Sequence, residues 1–311
     1  MGLMRSVLLS ASQSTWLREH AMKWPFVRRA TRRFMPGESL DDALAATREL
    51  ERENITTILT HLGENLTRVE EASVVAEHYL NAQERLRETG LRSEMSVKLT
   101  QLGLDQSADV AAANLERIAV SAAGIGRRVW VDMEGSAYTE RTLELFRRVR
   151  ARHANVGIAV QAYLRRTAAD LEPLIALGAA IRLVKGAYDE PARLAFRDRR
   201  EVNESYLRLG RRMLSAEARA AGVFAAFGTH DHVLIEALAT LADEAGLARG
   251  AYEFEMLYGI RRELQSRLAR EGRRVRVLIS YGEAWFPWYM RRLAEKPANV
   301  WFVMRNALGG G

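Results

Sequence analysis

Ionisable side chains stand where apolar runs end. "IRLVKGAY" holds Arg182 and Lys185 in a segment that otherwise reads as a buried strand. A buried cation needs an anionic partner from the protein or from a ligand. Other runs end in the same way. Lys98 closes "SVK", Asp132 and Glu134 close "VWVDME", and Gln161 and Tyr163 lie in "VGIAVQAY". Thr229, His230, Asp231 and His232 follow "VFAAFG"; Glu253 and Glu255 lie in "YEFEML"; Tyr281 and Glu283 end the run after Arg274. Four chemistries suit such a set. His230 and His232, joined by His61, suggest a metal hydrolase, although such a site needs three or four convergent ligands. Lys98 or Lys185 would serve a Schiff-base lyase or aldolase, with Asp132 or Glu134 carrying the proton. A basic nucleic-acid or membrane module is the third. A flavin oxidoreductase acting on an amino acid is the fourth.

The segment "WFPWYMRRLAEKPAN" bears on the last of these. Trp288, Arg291, Arg292 and Glu295 are spaced i, i+3, i+4 and i+7, which is one face of a helix. Two arginines on such a stripe suit a substrate carboxylate, which Arg meets as a bidentate fork. The same spacing also suits a surface Arg292–Glu295 pair beside a solvated Arg291.

Strands and helices must hold these residues. After a helix in "SLDDALAATRELERENI", capped by Ser39, apolar strand-like runs recur at 55–62, 94–102, 128–134, 156–163, 180–188, 222–230, 251–257 and 274–282. Helical periodicity fills most of the gaps between them. Eight strand–helix units predict a closed (βα)8 barrel, in which chemistry sits at the C-terminal strand ends. A ninth run at 300–306 would be a tail or cap. The predicted division is a basic helical arm over 1–40 and a catalytic barrel over 41–311.

Composition narrows the classes. The chain has 311 residues, 48% hydrophobic and 27% charged, as in a soluble globular protein. It has no cysteine, which excludes disulfides, thiolate metal sites and a Cys nucleophile. Of the net charge of +7, residues 1–33 account for +6, with Trp16, Trp24 and Phe26 among the cations. Such an arm suits an anionic membrane surface or nucleic acid. The nearly neutral body argues against nucleic acid. Lysine is rare: Lys23, Lys98, Lys185 and Lys296 stand against 42 arginines.

Together, "SVKLTQLGL", "VWVDMEGS", "VQAYLRRT", "IRLVKGAYDEP", "FGTHD", "YEFEMLYGI" and "WYMRRLAEKPANVWFV" resemble the proline dehydrogenase family. The resemblance runs through nearly the whole chain after the arm. It implies a distorted (βα)8 TIM barrel holding noncovalent FAD. The implied reaction oxidises L-proline to Δ1-pyrroline-5-carboxylate by hydride transfer from C5 to flavin N5, with membrane quinone as electron acceptor. It implies that Asp132 and Arg182 are catalytic. Lys98, Arg291 and Arg292 would grip the substrate carboxylate, with Tyr188, Leu257 and Trp288 around the proline ring. Met133, Gln161, Arg182, Lys185, Gly186, Ala187, Thr229, His230 and Glu295 would meet the cofactor. The implied location is cytoplasmic, with peripheral contact at the inner face of the membrane, and no nucleic-acid partner. Two positions depart from the family: Leu278 and Trp288 stand where tyrosine is frequent, and each change removes a hydroxyl near the substrate.

Overall fold

The computed structural model describes residues 34–63, 66 and 68–285. The arm over 1–33, the helix bearing Trp288, Arg291, Arg292 and Glu295, and the run at 300–306 lie outside the described residues. The chain enters through Phe34 and Met35, both buried, and the Trp285 indole donates to Glu38 at 2.8 Å. Helix α1 (Leu40–Arg52) then starts at Ser39, whose hydroxyl accepts from the Asp42 amide at 3.1 Å, as the sequence predicts. A cap of this kind contributes about 1 kcal/mol.

Eight parallel strands follow. They are β1 (Thr56–His61), β2 (Ser93–Val97), β3 (Val129–Val131), β4 (Val156–Gln161), β5 (Ala180–Val184), β6 (Phe224–Gly228), β7 (Tyr252–Leu257) and β8 (Val275–Tyr281). Each pairs with its sequence neighbour, and β8 pairs with β1, so the sheet closes. The crossovers are α2 (Val69–Thr89), α3 (Ala108–Gly124), α4 (Thr139–Arg150), α5 (Thr167–Ala176), α6 (Arg199–Met213) with the short α7 (Ala216–Ala220), α8 (His232–Glu244) and α9 (Arg262–Arg270). The eight-stranded barrel predicted from alternation is the observed fold.

Several strands are shorter than their apolar runs. β2 stops at Val97, five residues early, because a 3-10 turn forms over Thr100–Leu102. β3 stops at Val131, and β5 stops at Val184 ahead of Gly186, whose φ is +114°. Lys98, Asp132, Lys185 and Thr229 are therefore loop residues just past the strand ends.

Period-two alternation sends one side of each strand inward. Leu59, Val97, Val131, Ile181 and Phe227 face the helices in a large apolar core. Ile58, Trp130, Ala180 and Ala226 face inward, with Phe224 and Leu278 beside them. Gly157 makes room for Trp130: a Cβ there would lie 2.7 Å from the indole ring.

Candidate active site

The barrel interior holds two ionic layers. Near the N-terminal end, Arg276 donates to Glu253 at 2.9 Å and to the Thr57 carbonyl at 3.1 Å, and lies 3.3 Å from Glu94. Arg274 and Arg128 reach the same carboxylates from the rim, at 2.8 and 3.7 Å. Both guanidiniums stack on the Phe224 ring. Trp130 donates to Glu94 at 2.6 Å, joining this floor to the layer above.

Arg182 occupies the upper layer, 3% exposed inside the barrel. Its Nη1 donates to Asp132 at 2.9 Å and to the Ser96 hydroxyl at 3.0 Å, and Ser96 in turn donates to Asp132 at 2.8 Å. Its Nε lies 2.6 Å from Glu255, and its plane covers Trp130 at 4.7 Å. Asp132, just past β3, is the more open of the two carboxylates, with its side chain 24% exposed against 4% for Glu255. The question raised by a cation inside a strand is thereby answered in part: Arg182 is paired twice. Its Nη2 is nonetheless buried without a hydrogen-bond partner among the described residues, as is Gln161 Oε1.

Gln161 is fixed by its amide nitrogen, which donates to the carbonyls of Met133 and Glu134 at 3.0 and 2.8 Å. Glu134 closes the neighbouring loop by accepting from the Thr100 hydroxyl at 2.8 Å and the Thr100 amide at 3.3 Å. Burial raises its pKa against these two bonds. Thr100 is two residues past Lys98, so Glu134 fixes the turn that carries the lysine.

Lys185 has a separate task from Arg182. Its amine donates to Asn203 at 2.8 Å and to Asp231 at 2.9 Å. Asp231 also caps α8. Burial opposes its ionisation, but Lys185, the Val233 amide and Arg199 together hold its pKa low. Gly186 packs against Tyr163, whose ring a Cβ would meet at 2.1 Å. Thr229 accepts from the Asp231 amide at 3.1 Å, and His230 accepts from the Leu257 amide at 3.4 Å. Ala187 and Tyr188 are exposed on the loop after β5, and Leu257 is half-buried at the end of β7. That loop is strapped down by Glu190, which accepts from the Ser136 amide at 2.6 Å and from the Ser136 hydroxyl.

The histidines do not converge. His61 points out of the barrel wall, stacking on His78 at 4.1 Å, while His78 bonds the Tyr281 hydroxyl at 2.9 Å. Burial first, then His78 and Lys98, lower the His61 pKa to about 4. His232 opens α8 and so leaves the strand face that carries His230. Among the described residues no three His, Cys, Asp or Glu side chains form a group able to hold a metal.

Spacing did not single out Ser96, Trp130, Glu94 or Arg276. Period-two placement of a polar residue inside an apolar strand, which flagged Arg182, flags Ser96, Glu94 and Arg276; Trp130, in an all-apolar strand, carries no such signal.

The chain is similar to known proteins along nearly all its length. The proline dehydrogenase family profile matches residues 43–305. Proline dehydrogenase 1 of Bacillus subtilis subsp. natto is 37% identical over 306 residues, 98% of this chain and 99% of that protein. Proline dehydrogenase of Deinococcus radiodurans is 36% identical over 283 residues, 89% of this chain and 90% of that one. Among solved structures, proline utilization A from Bdellovibrio bacteriovorus, inactivated by N-propargylglycine, matches the fold. Its TM-score is 0.80 at 23% identity, over 86% of this chain and 33% of that one. With a matching profile across the barrel and relatives this similar along nearly their whole lengths, the chain belongs to the proline dehydrogenase family, an enzyme family of oxidoreductases.

Proposed function

We propose that this enzyme oxidises L-proline to Δ1-pyrroline-5-carboxylate with FAD as cofactor and membrane quinone as electron acceptor. The observation that carries this reading is the buried Arg182 at the barrel mouth. Asp132 and Glu255 fix it, while its Nη2, like Gln161 Oε1 on the neighbouring strand, is buried with no hydrogen-bond partner among the described residues. Buried polar atoms of this kind call for a partner. A flavin ring offers one, since its edge carries both donors and acceptors. Bound FAD supplies the two-electron acceptor for the hydrogen leaving proline C5.

The chain's own residues bind, orient and polarise. Arg182 presents a fixed positive charge to the cofactor, where it favours the electron-rich form. Asp132 and Ser96 hold that guanidinium in place and cost no reorganisation during the reaction. Gln161 and Met133 line the same wall. Lys185, anchored by Asp231, would hold the cofactor together with Gly186, Ala187, Thr229 and His230. Lys98, with Arg291 and Arg292, grips the proline carboxylate; Tyr188, Leu257 and Trp288 enclose the ring, and Glu295 orders the arginine pair. Three cations on one carboxylate hold C5 in reacting position. The salt bridge from Lys185 to Asp231 counts against a Schiff-base role for that lysine.

Purified protein should be yellow and should bleach anaerobically on adding L-proline. Colourless protein trapped by borohydride with a keto acid would overturn the proposal. Arg291→Met should raise the proline KM at least ~10-fold with flavin retained, the loss of one charged hydrogen bond; an unchanged KM removes Arg291 from the carboxylate site.

We further propose that the basic arm brings the chain to the membrane surface without spanning it. Among the described residues no helix is long and apolar enough to cross a membrane. Deleting residues 1–33 should lower turnover with quinone in liposomes more than with a soluble dye. Equal loss with both acceptors makes the arm structural.

A further inference from the structure

Arg182 is held from two sides, and Asp132 is one holder. Glu255 is the other holder. It lies on β7 with its side chain 4% exposed, 2.6 Å from Arg182 Nε. Two residues earlier on the same inward face stands Glu253, which Arg276 and Arg274 hold at 2.9 and 2.8 Å. Each of the two keeps one buried oxygen without a hydrogen-bond donor among the described residues, Glu253 Oε2 and Glu255 Oε1. Two carboxylates are both acceptors, so neighbouring orphan oxygens satisfy each other only if a proton stands between them. Glu255 is where such a proton belongs, because Glu253 already faces the Arg276 and Arg274 guanidiniums.

We infer that Glu255 is a positioning residue that holds a proton shared with Glu253, and thereby sets how much of the Arg182 charge is left for the electron acceptor above it. The inference rests on the proposed flavin reading. Among the described residues, the groups facing Glu255 are Arg182 of β5, Glu253 of its own strand and Arg276 of β8, with Tyr206 of α6 nearby and Asp132 acting through Arg182. Burial pushes the Glu255 carboxyl up to about 8; Arg182 opposes this, Glu253 reinforces it and Arg276 opposes it. With the proton in place, Arg182 answers to one anion, Asp132. Without it, Arg182 answers to two, and the cluster turns net negative. A net negative cluster disfavours adding electrons to a neighbouring group.

Two measurements on purified holoprotein test this. The first is infrared spectroscopy in light and heavy water. A protonated carboxyl band that shifts on deuteration should be present near neutrality, vanish well above pH 8, and be missing from Glu255→Gln. The second is the midpoint potential of the bound flavin against pH. Beyond the slope of flavin itself, wild type should show an extra downward break near pH 8, and Glu255→Gln should lack it. A band and break that persist in Glu255→Gln would overturn the inference. Glu253→Gln keeps the Arg182 contact and serves if Glu255→Gln fails to fold. It removes the anion that reinforces protonation, so band loss and break should move to lower pH; unmoved values overturn the inference. Wild-type protein that carries the band but no flavin would sink the flavin reading instead.

Discussion

The floor and the mouth of the barrel are built from the same materials and solve different problems. Each centres on a buried arginine bridging two carboxylates across strands: Arg276 between Glu94 and Glu253, Arg182 between Asp132 and Glu255. At the floor, further partners close the network, namely the Thr57 carbonyl, the Trp130 indole, Arg128 and Arg274, and Glu253 Oε2, which lacks a hydrogen-bond donor among the described residues, is ion-paired to Arg274 at 2.8 Å. At the mouth, Arg182 Nη2 and Gln161 Oε1 are buried with no hydrogen-bond partner among the described residues. A closed network has nothing left to offer a ligand. An open one carries a desolvation cost that only a ligand removes. The floor therefore reads as structure and the mouth as function.

The largest effect should come from breaking the floor. Arg276→Met leaves Glu94 and Glu253 facing each other without their buried cation. Removing one partner of a buried ion pair costs about 3–5 kcal/mol. Urea unfolding should show that loss, with the flavin still reducible by proline in whatever folds. Arg182→Met should do the reverse. It removes one preorganised charge at the reacting group, worth about 10²–10³-fold in kcat. Its unfolding midpoint should move far less than that of Arg276→Met, because Asp132 is open to solvent and Glu255 can hold a proton. Equal stability losses in the two variants would break the division between floor and mouth.

Trp130 is where the two layers touch, bonding Glu94 below and stacking on Arg182 above. Gly157 is what admits it. Gly157→Ala places a Cβ 2.7 Å from the ring, so the indole must shift. Overpacking of this kind costs about 1–3 kcal/mol. If the layers are coupled through Trp130, kcat should fall together with stability. A stability loss with unchanged kcat would make the mouth independent of the floor.

Most of the scaffold was legible in the sequence. All eight apolar runs became strands, because hydrophobic alternation and helical spacing are local signals. Strand ends were less legible. Where β2 stops at Val97 depends on Glu134 capturing Thr100, a contact 34 residues away in sequence. Arg182 stood out because it interrupts an apolar run, and its Asp132 partner lies at a strand end, where barrel chemistry is expected. The floor was missed although Arg276 sits in "VRVLISY" in the same manner. Its network pairs β2, β7 and β8, and no local spacing says which arginine meets which glutamate. The residues assigned to FAD and proline came from resemblance, and those predicted on a helix after residue 285 lie outside the described residues.

The smallest effect is the most discriminating, since it gives the two carboxyls of β7 opposite signs. Glu253 has a pKa below the usual 4.5: burial raises it, but Arg276 and Arg274 together outweigh burial. Its stabilising contribution is present above 4.5 and is lost as pH falls through its folded value. Glu255 is raised to about 8. Its contribution is complete below 4.5 and is lost as pH climbs from there through about 8, because the unfolded chain releases that proton first. Each slope is bounded by one proton, about 1.4 kcal/mol per pH unit. Urea unfolding across pH should therefore show Glu255→Gln flattening the decline toward alkaline pH, while Glu253→Gln flattens the decline toward acid. Were both substitutions to flatten the same limb, the two carboxyls would share one charge state, and Arg182 would answer to two anions at every working pH.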